Sequence, residues 1–247
     1  MHLNQREQRH HDVPPGIVGD MERFFVNVVA ECPYGLDQTA IYHQAVPGRL
    51  DEQSMGEFLA HGYRRNGNCI YNMRCPQCSL CVPIRLRPKR LRLNRNQRRV
   101  WRKNQDVAVE IAPLTMSREN LNLLQRFLSN RFPAGRSLAE SYYSGFFITS
   151  ISRCFEIRYR VGDRLLGVAV VDGSPSWLNA VYFYFDPEFG WRSPGTLNIL
   201  TLNHFCTSRN IEHLYLGYWI KDLVGMHYKT AFRPHELLRD GTWREQP

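Results

Sequence analysis

The sequence predicts an α+β protein: a mixed sheet with helices packed on it, joined to a smaller cysteine-bearing N-terminal domain. Three observations carry that prediction. Beyond residue 108 the hydrophobic pattern runs helix, three-strand meander, helix, strand. Before it, short apolar runs are separated by Pro and Gly, and cysteines cluster. Within 85–103 stand Arg85, Arg87, Lys89, Arg90, Arg92, Arg95, Arg98, Arg99, Arg102 and Lys103, without a single acid. The expected division is 1–107 and 108–247.

In the first part the core signals are short: Phe24, Phe25, Val26, Val28 and Val29, then Ile41 and Tyr42, then Cys69 to Tyr71. Ile84, Arg85, Leu86 and Arg87 alternate as a half-exposed strand does until Pro88 interrupts them. Residues 94–104 read as a helix with arginines over most of its surface. In the second part Ser117 caps a helix in which Leu121, Leu124, Phe127 and Leu128 recur at helical spacing, and Pro133 stops it. Phe155, Ile157, Tyr159 and Val161 alternate as a strand, Gly162 and Asp163 turn the chain, and 165–171 and 177–185 complete the meander. A helix over 196–208 turns Leu197, Leu200, Leu202 and Phe205 inward, and a strand follows over 213–218.

Composition narrows the function classes. At 43% hydrophobic and 12% aromatic residues, the 247-residue chain has the means to bury a core. No run of about eighteen apolar residues occurs, so no membrane span is expected. The polar N-terminus lacks the apolar segment of a secretory leader, so the expected location is the cytoplasm. There the seven cysteines stay reduced, and clustered thiols are metal ligands or reactive groups more often than disulfides. Cys75, Cys78 and Cys81 stand at CxxCxxC spacing; a structural zinc would need a fourth thiolate from Cys32 or Cys69, and an iron–sulfur centre would draw on the same residues. Small buried residues in a turn-rich domain are the plainer alternative. The basic stretch exceeds the net charge of +9, so the excess is focused, as a phosphate backbone requires. Its plainer alternative is a solvated face.

The order of elements in the second part is that of the acyl-CoA N-acyltransferase fold, which by itself establishes no reaction. Longer motifs go further: HGYRRNGNCIY (61–71), CPQCSLCVPIRLRP (75–88), NRNQRRVWRKN (94–104), AVYFYFDP (180–187), RSPGT (192–196) and LYLGYWIKDLVGMHYKTAFRPHELL (214–238). Together they resemble the bacterial aspartate/glutamate leucyltransferases, relatives of the arginyl-tRNA-protein transferases. The resemblance implies transfer of leucine from leucyl-tRNA to proteins whose first residue is Asp or Glu, marking them for degradation by the N-end rule. It implies no cofactor for the transfer. Near the start that family reads Cys, any residue, Tyr, Leu, Pro, whereas this chain reads Cys32, Pro33, Tyr34, Gly35, Leu36, Asp37, so no residue role is carried over at 35–38.

Such a reaction sets a list of parts. A ribose ester is attacked by an α-amine of pKa about 7.7–8, so a group must accept its proton. The site also needs donors for the oxyanion, a cradle for the terminal phosphates and a cation for the substrate's acidic side chain. Asp186 is the candidate to orient or deprotonate the amine, with a turn-forming Asp as its alternative. Tyr182 and Tyr184 share a strand face with it, to stack on adenine or to donate hydrogen bonds, or else to fill the core. Arg98, Arg99 and Arg102, with the turn Arg192, Gly195, Thr196 at a helix start, are candidates for tRNA phosphates. Arg85, Lys229 and Arg233 are candidates to read the N-terminal acid, and Tyr218, Trp219 and Lys221 to line the same cleft. Cys32, Cys75, Cys78 and Cys81 remain the set for a zinc or iron–sulfur centre. Three alternatives stay open: arginyl-tRNA as donor, a CoA-dependent N-acetyltransferase, and an RNA-binding protein without catalysis.

Overall fold

The computed structural model describes residues 16–247 except 134 and 136. Helix α1 (Ile17–Glu22) and strands β1 (Val26–Glu31) and β2 (Thr39–Ala45) open the chain, followed by α2 (Glu52–Ala60), β3 (Arg64–Asn66) and β4 (Cys69–Met73). These strands form a four-stranded antiparallel sheet in the order β1-β2-β4-β3. Asp51 caps α2 by accepting from the Ser54 amide at 2.7 Å. The helix lays Met55, Phe58 and Leu59 on a core shared with Phe25, Tyr63 and Ile70.

Next come β5 (Val82–Leu86), a turn at Pro88–Arg90, α3 (Arg95–Lys103) and β6 (Ala108–Pro113). Helices α4 (Arg118–Arg131) and α5 (Ala139–Phe146) precede the meander β7 (Cys154–Val161), β8 (Arg164–Gly173), β9 (Trp177–Phe185). The chain finishes with α6 (Pro194–Ser208), β10 (His213–Trp219), the short α7 (His227–Thr230), β11 (His235–Arg239) and β12 (Thr242–Gln246). The second sheet has eight strands in the order β12-β11-β5-β10-β9-β8-β7-β6. It is mixed: β10 runs parallel to β9, and its other pairings are antiparallel.

Strand β5 sits between β10 and β11, with Ile84 and Leu86 buried. Although it lies within 1–107, it is an interior strand of the larger sheet, so both expected parts of the chain build that sheet. Alternation along β8 divides the two faces. Ala169 and Val171 face Leu197, Leu200 and Val100 of the α6 and α3 side, whereas Val168 and Val170 face Leu124, Leu128 and Tyr143 of the α4 and α5 side.

The two sheets are joined by a buried ion pair. Arg65 of β3 donates to both carboxylate oxygens of Asp172 on β8 at 2.8 and 2.9 Å, and both side chains are 0% exposed. Asn179 donates to the same carboxylate at 3.1 Å. Removing one partner of such a pair leaves a charge without water or counter-charge, which costs about 3–5 kcal/mol. Since successive strand residues point to opposite sides, anchoring Arg65 fixes the direction of Arg64.

Candidate active site

The parallel strands β9 and β10 pair only over Trp177–Asn179 and His213–Tyr215 and then part. Gly217 lies in β10 just beyond the last paired residue. It takes φ +80°, a conformation open to glycine, and the register of β10 against β5 slips between Tyr215 and Tyr218. The result is a wedge at the carboxyl ends of two parallel strands, the place where open sheets bind ligands.

Arg64 enters this wedge from β3. Its Nη2 lies 3.4 Å from the carbonyl oxygens of Ala180 and Val181 on β9, and its guanidinium stands 5.7 Å from the centre of the Tyr218 ring. A Cβ at position 217 would fall 1.1 Å from Arg64 Nη1, so a side chain there would displace the guanidinium. The Arg64 Nε is buried and has no partner among the described residues. A donor left in that state is an unusual feature of a folded protein and is available to a ligand oxygen.

Lys229 of α7 reaches the same wedge from the other side. Its Nζ donates to the carbonyl oxygens of Leu216 and Tyr218 at 2.9 and 2.8 Å. The stem is half-buried, but the amine end is enclosed by protein; this burial, and then the Arg64 charge, pulls its pKa down to about 7. A neutral amine held by two carbonyls has both N–H bonds engaged and its lone pair free. That is the state of a proton acceptor.

Tyr71 of β4 meets the Tyr218 ring edge-on at 6.4 Å and connects the wedge to a cavity of about 780 Å³. Val28, Tyr42, Leu128, Phe132, Tyr142 and Phe146 give this cavity mostly apolar walls, and no Asp or Glu is among its described lining residues.

Helix α3 braces the two loops that follow the diverging strands. Asn94 and Gln97 form a reciprocal capping box, and both also donate to the Ala231 carbonyl beyond α7, at 3.3 and 3.1 Å. At the other end Asn104 donates to the Arg192 carbonyl at 3.1 Å and Lys103 donates to that of Trp191. Val100 is buried, and Arg95, Arg98, Arg99 and Arg102 face solvent. None of these four arginines makes an ion pair among the described residues, as the acid-free stretch of sequence leads one to expect.

Other expected site residues have partners inside the protein. Asp186 is 1% exposed and accepts from Arg126 at 3.1 Å, Arg164 at 2.8 Å and the Glu188 amide at 3.2 Å, capping the turn Pro187–Arg192. Its oxygens serve that turn. Tyr184 is buried, stacked on Phe147 at 5.8 Å, and Tyr182 packs among Phe127, Tyr142 and Phe147, so this strand face meets α4 and α5. Arg192 binds Asp106 through two hydrogen bonds of 2.8 Å and lies 4.6 Å from the Trp191 ring centre, so its cation locks the loop before α6. Gly195 and Thr196 stand half-buried in the first turn of α6, where a Cβ on Gly195 would touch the Tyr228 ring at 3.4 Å.

Arg85, expected to read an acidic side chain of a substrate, carries an internal carboxylate instead. It donates to Glu236 at 2.6 Å under the Trp243 ring, 4.2 Å from its centre. Arg233 is exposed, and its carbonyl accepts from the Arg92 amide at 2.9 Å, which sets it beside the basic face. Tyr218 is buried and donates to the Gly62 carbonyl at 3.3 Å, Trp219 packs on the main core, and Lys221 is exposed.

The Cys81 thiol is pushed up to about 12 by burial and then by Cys75, Cys78 and Cys32, so the four thiols are neighbours. Among the described residues, however, no group of three or more His, Cys, Asp or Glu side chains is arranged to hold a metal ion. The zinc or iron–sulfur set of Cys32, Cys75, Cys78 and Cys81 stays an expectation from the spacing.

Arg64, Tyr71 and Gly217 were not among the expected site residues. The one signal for Gly217 was a glycine interrupting an apolar strand, which marks a bulge.

Residues 30–99 match the family described as arginine-tRNA-protein transferase, N terminus, and residues 119–239 match arginine-tRNA-protein transferase, C terminus. An aspartate/glutamate leucyltransferase of Marinobacter nauticus is 35% identical over 225 residues, covering 90% of this chain and 95% of the relative. Proteins of the same name from Nitrosococcus oceani and Pseudomonas putida are 37% and 33% identical, covering 89% and 90% of this chain and 94% and 95% of their own length.

Proposed function

The chain belongs to the arginine-tRNA-protein transferase family, and we propose that it moves leucine from leucyl-tRNA to the α-amine of proteins that begin with Asp or Glu. The product carries a new N-terminal leucine and enters N-end rule degradation. Charged tRNA places this reaction in the cytoplasm.

The observation that carries the reading is the wedge between β9 and β10, with the unpartnered Arg64 Nε on one side and Lys229 on the other. The substrate amine attacks the ester carbonyl, and Lys229 takes the amine's proton. A pKa of about 7 matches that task at neutral pH. Arg64 donates to the developing oxyanion, where a fixed donor away from bulk water acts strongly. The tetrahedral intermediate then collapses: the amide bond remains, the ester bond breaks, and the terminal ribose oxygen leaves with the proton Lys229 returns. The charged tRNA supplies the activated ester.

The exposed arginines of α3, including Arg98, Arg99 and Arg102, and Arg233 beside them form the phosphate-facing surface. Such contacts bring affinity and salt dependence. The first turn of α6, with Gly195 and Thr196, receives the last phosphates of the acceptor end through its backbone amides. The apolar cavity next to Tyr71 favours a leucyl over an arginyl side chain, because a buried guanidinium needs a carboxylate and the described walls offer none.

Incubation with separately charged leucyl-tRNA and arginyl-tRNA and an Asp-initiated peptide tests the reading. Labelled leucine in the peptide supports it. Product from arginyl-tRNA alone, or from acetyl-CoA alone, overturns it.

A further inference from the structure

Arg131 closes the last turn of α4, on the sheet face opposite α3. It is exposed and makes no hydrogen bond or ion pair among the described residues. Its guanidinium nevertheless has a defined place. Arg131 Nη2 stands 3.1 Å from where a Cβ on Gly225 would lie, against the turn Val224–Met226 between β10 and α7. Its charge also reaches the hydroxyls of Tyr182 on β9 and Tyr228 on α7, opposing the rise that burial imposes on each. One unpaired cation therefore bridges the elements on either side of the wedge.

We infer that Arg131 reads the acidic side chain of the protein substrate's first residue, holding its carboxylate at the mouth of the wedge while the adjacent α-amine faces the ester. The assignment rests on the transfer proposed above and names the residue that selects its acceptor. A guanidinium fork matches a carboxylate with two parallel hydrogen bonds.

The surroundings favour a carboxylate over a tRNA phosphate. The unpaired arginines of α3 lie on the α6 side of the sheet, so the phosphate row is on the other face. Around Arg131, Leu128 of the same helix and Phe132 at its C-cap line an apolar cavity. Among the described residues, one unpaired cation beside apolar walls suits a single carboxylate on a peptide, whereas a nucleic-acid backbone is tracked by several cations. Two substrates reacting at one carbonyl also need two approaches, and the opposite faces of the wedge provide them. Elsewhere, Arg85 is held by Glu236, Lys229 is held by two carbonyls, and Arg233 lies beside Arg92 on the basic side.

A cation in the last turn of a helix also complements the helix dipole. That role is electrostatic, is preserved by Arg131→Lys, and does not depend on the peptide.

The test measures steady-state transfer with the full-length enzyme, varying the Asp-initiated peptide and leucyl-tRNA separately, together with the melting temperature of each variant. Arg131→Ala should raise the peptide KM roughly 10- to 100-fold, the value of a charge-assisted hydrogen bond, with the leucyl-tRNA KM unchanged. Arg131→Lys should recover part of that loss. A raised KM for leucyl-tRNA with the peptide KM unchanged would instead place a phosphate at Arg131 and overturn the assignment. An unchanged peptide KM in Arg131→Ala overturns it as well, and so does a loss explained wholly by a fallen melting temperature in all variants. A wild-type enzyme that moves no leucine to the peptide overturns the proposed function itself, a distinct result.

Discussion

The guanidinium of Arg64 occupies the space that a side chain at Gly217 would need, with 1.1 Å between Arg64 Nη1 and the position of a Cβ there. One residue comes from the smaller sheet and the other from the centre of the larger. Both lie where β9 and β10 part, in the wedge in which the ester is proposed to sit.

Gly217→Ala should therefore lower both turnover and stability. A residue forced to φ +80° costs about 1–3 kcal/mol, and Arg64 must also move aside. In an Arg64→Ala background the same substitution should cost less, because the steric part of the penalty is gone. A double-mutant cycle by denaturant unfolding checks this, and strictly additive losses would show that the two residues do not interact.

Lys229 gives the protein a pH signature. The transfer rate per peptide should climb through about 7 as the lysine becomes neutral, apart from the limb that the peptide amine adds near 7.7–8. Lys229→Met should remove the lower limb and most of the activity. Stability responds too: the folded value of about 7 lies below the ordinary 10.5, so between these values the unfolded chain holds more protons. Stability should then rise with pH across that window, and Lys229→Met should flatten the rise. A variant with the wild-type pH–rate profile would remove Lys229 from the reaction.

Neutralising Arg98, Arg99 and Arg102 together should weaken tRNA binding and reduce its dependence on salt. Each lost phosphate contact lowers the slope of log K against log salt by roughly 0.7–0.9. The peptide KM should stay the same. Filter binding over a salt series measures the slope, and identical slopes before and after would deny these residues a phosphate role.

The Arg65–Asp172 pair should contribute to activity through position. Asp172→Ala strands a fully buried guanidinium and should destabilise the protein by about 3–5 kcal/mol. Below the unfolding temperature it should also reduce turnover, since the anchor that directs the neighbouring Arg64 is gone. Unfolding curves and turnover measured on the same preparation decide this, and full turnover in the destabilised variant would separate the anchor from the site.

Much of this was legible in the chain itself. The helix capped by Ser117, the meander and the strand expected at 213–218 follow from periodicity and turn residues; the structure has Ser117 accepting from the Asn120 amide at 3.2 Å, as an N-cap requires, and extends the strand to Trp219. The cations of α3 were readable from a run without acids. What local pattern could not reveal is partnership across long separations. Arg85 and Glu236 lie 151 residues apart, as Arg65 and Asp172 lie 107 apart, and only the folded sheet shows which cations are already paired. The same limit hid Arg64 and Arg131: both are ordinary arginines in sequence, distinguished only by the groups they lack as partners. Asp186 reads equally as a base or as a turn cap until its two arginines and the Glu188 amide come into view.

Single-turnover transfer of radiolabelled leucine from leucyl-tRNA to an Asp-initiated peptide, followed across pH for the wild type and for Lys229→Met, tests the wedge most directly. The expected result is label in the peptide for the wild type, at a rate rising through about pH 7, and little label at any pH for the variant. Transfer by Lys229→Met at the wild-type rate and with the wild-type pH dependence would contradict the assignment of the chemistry to this wedge.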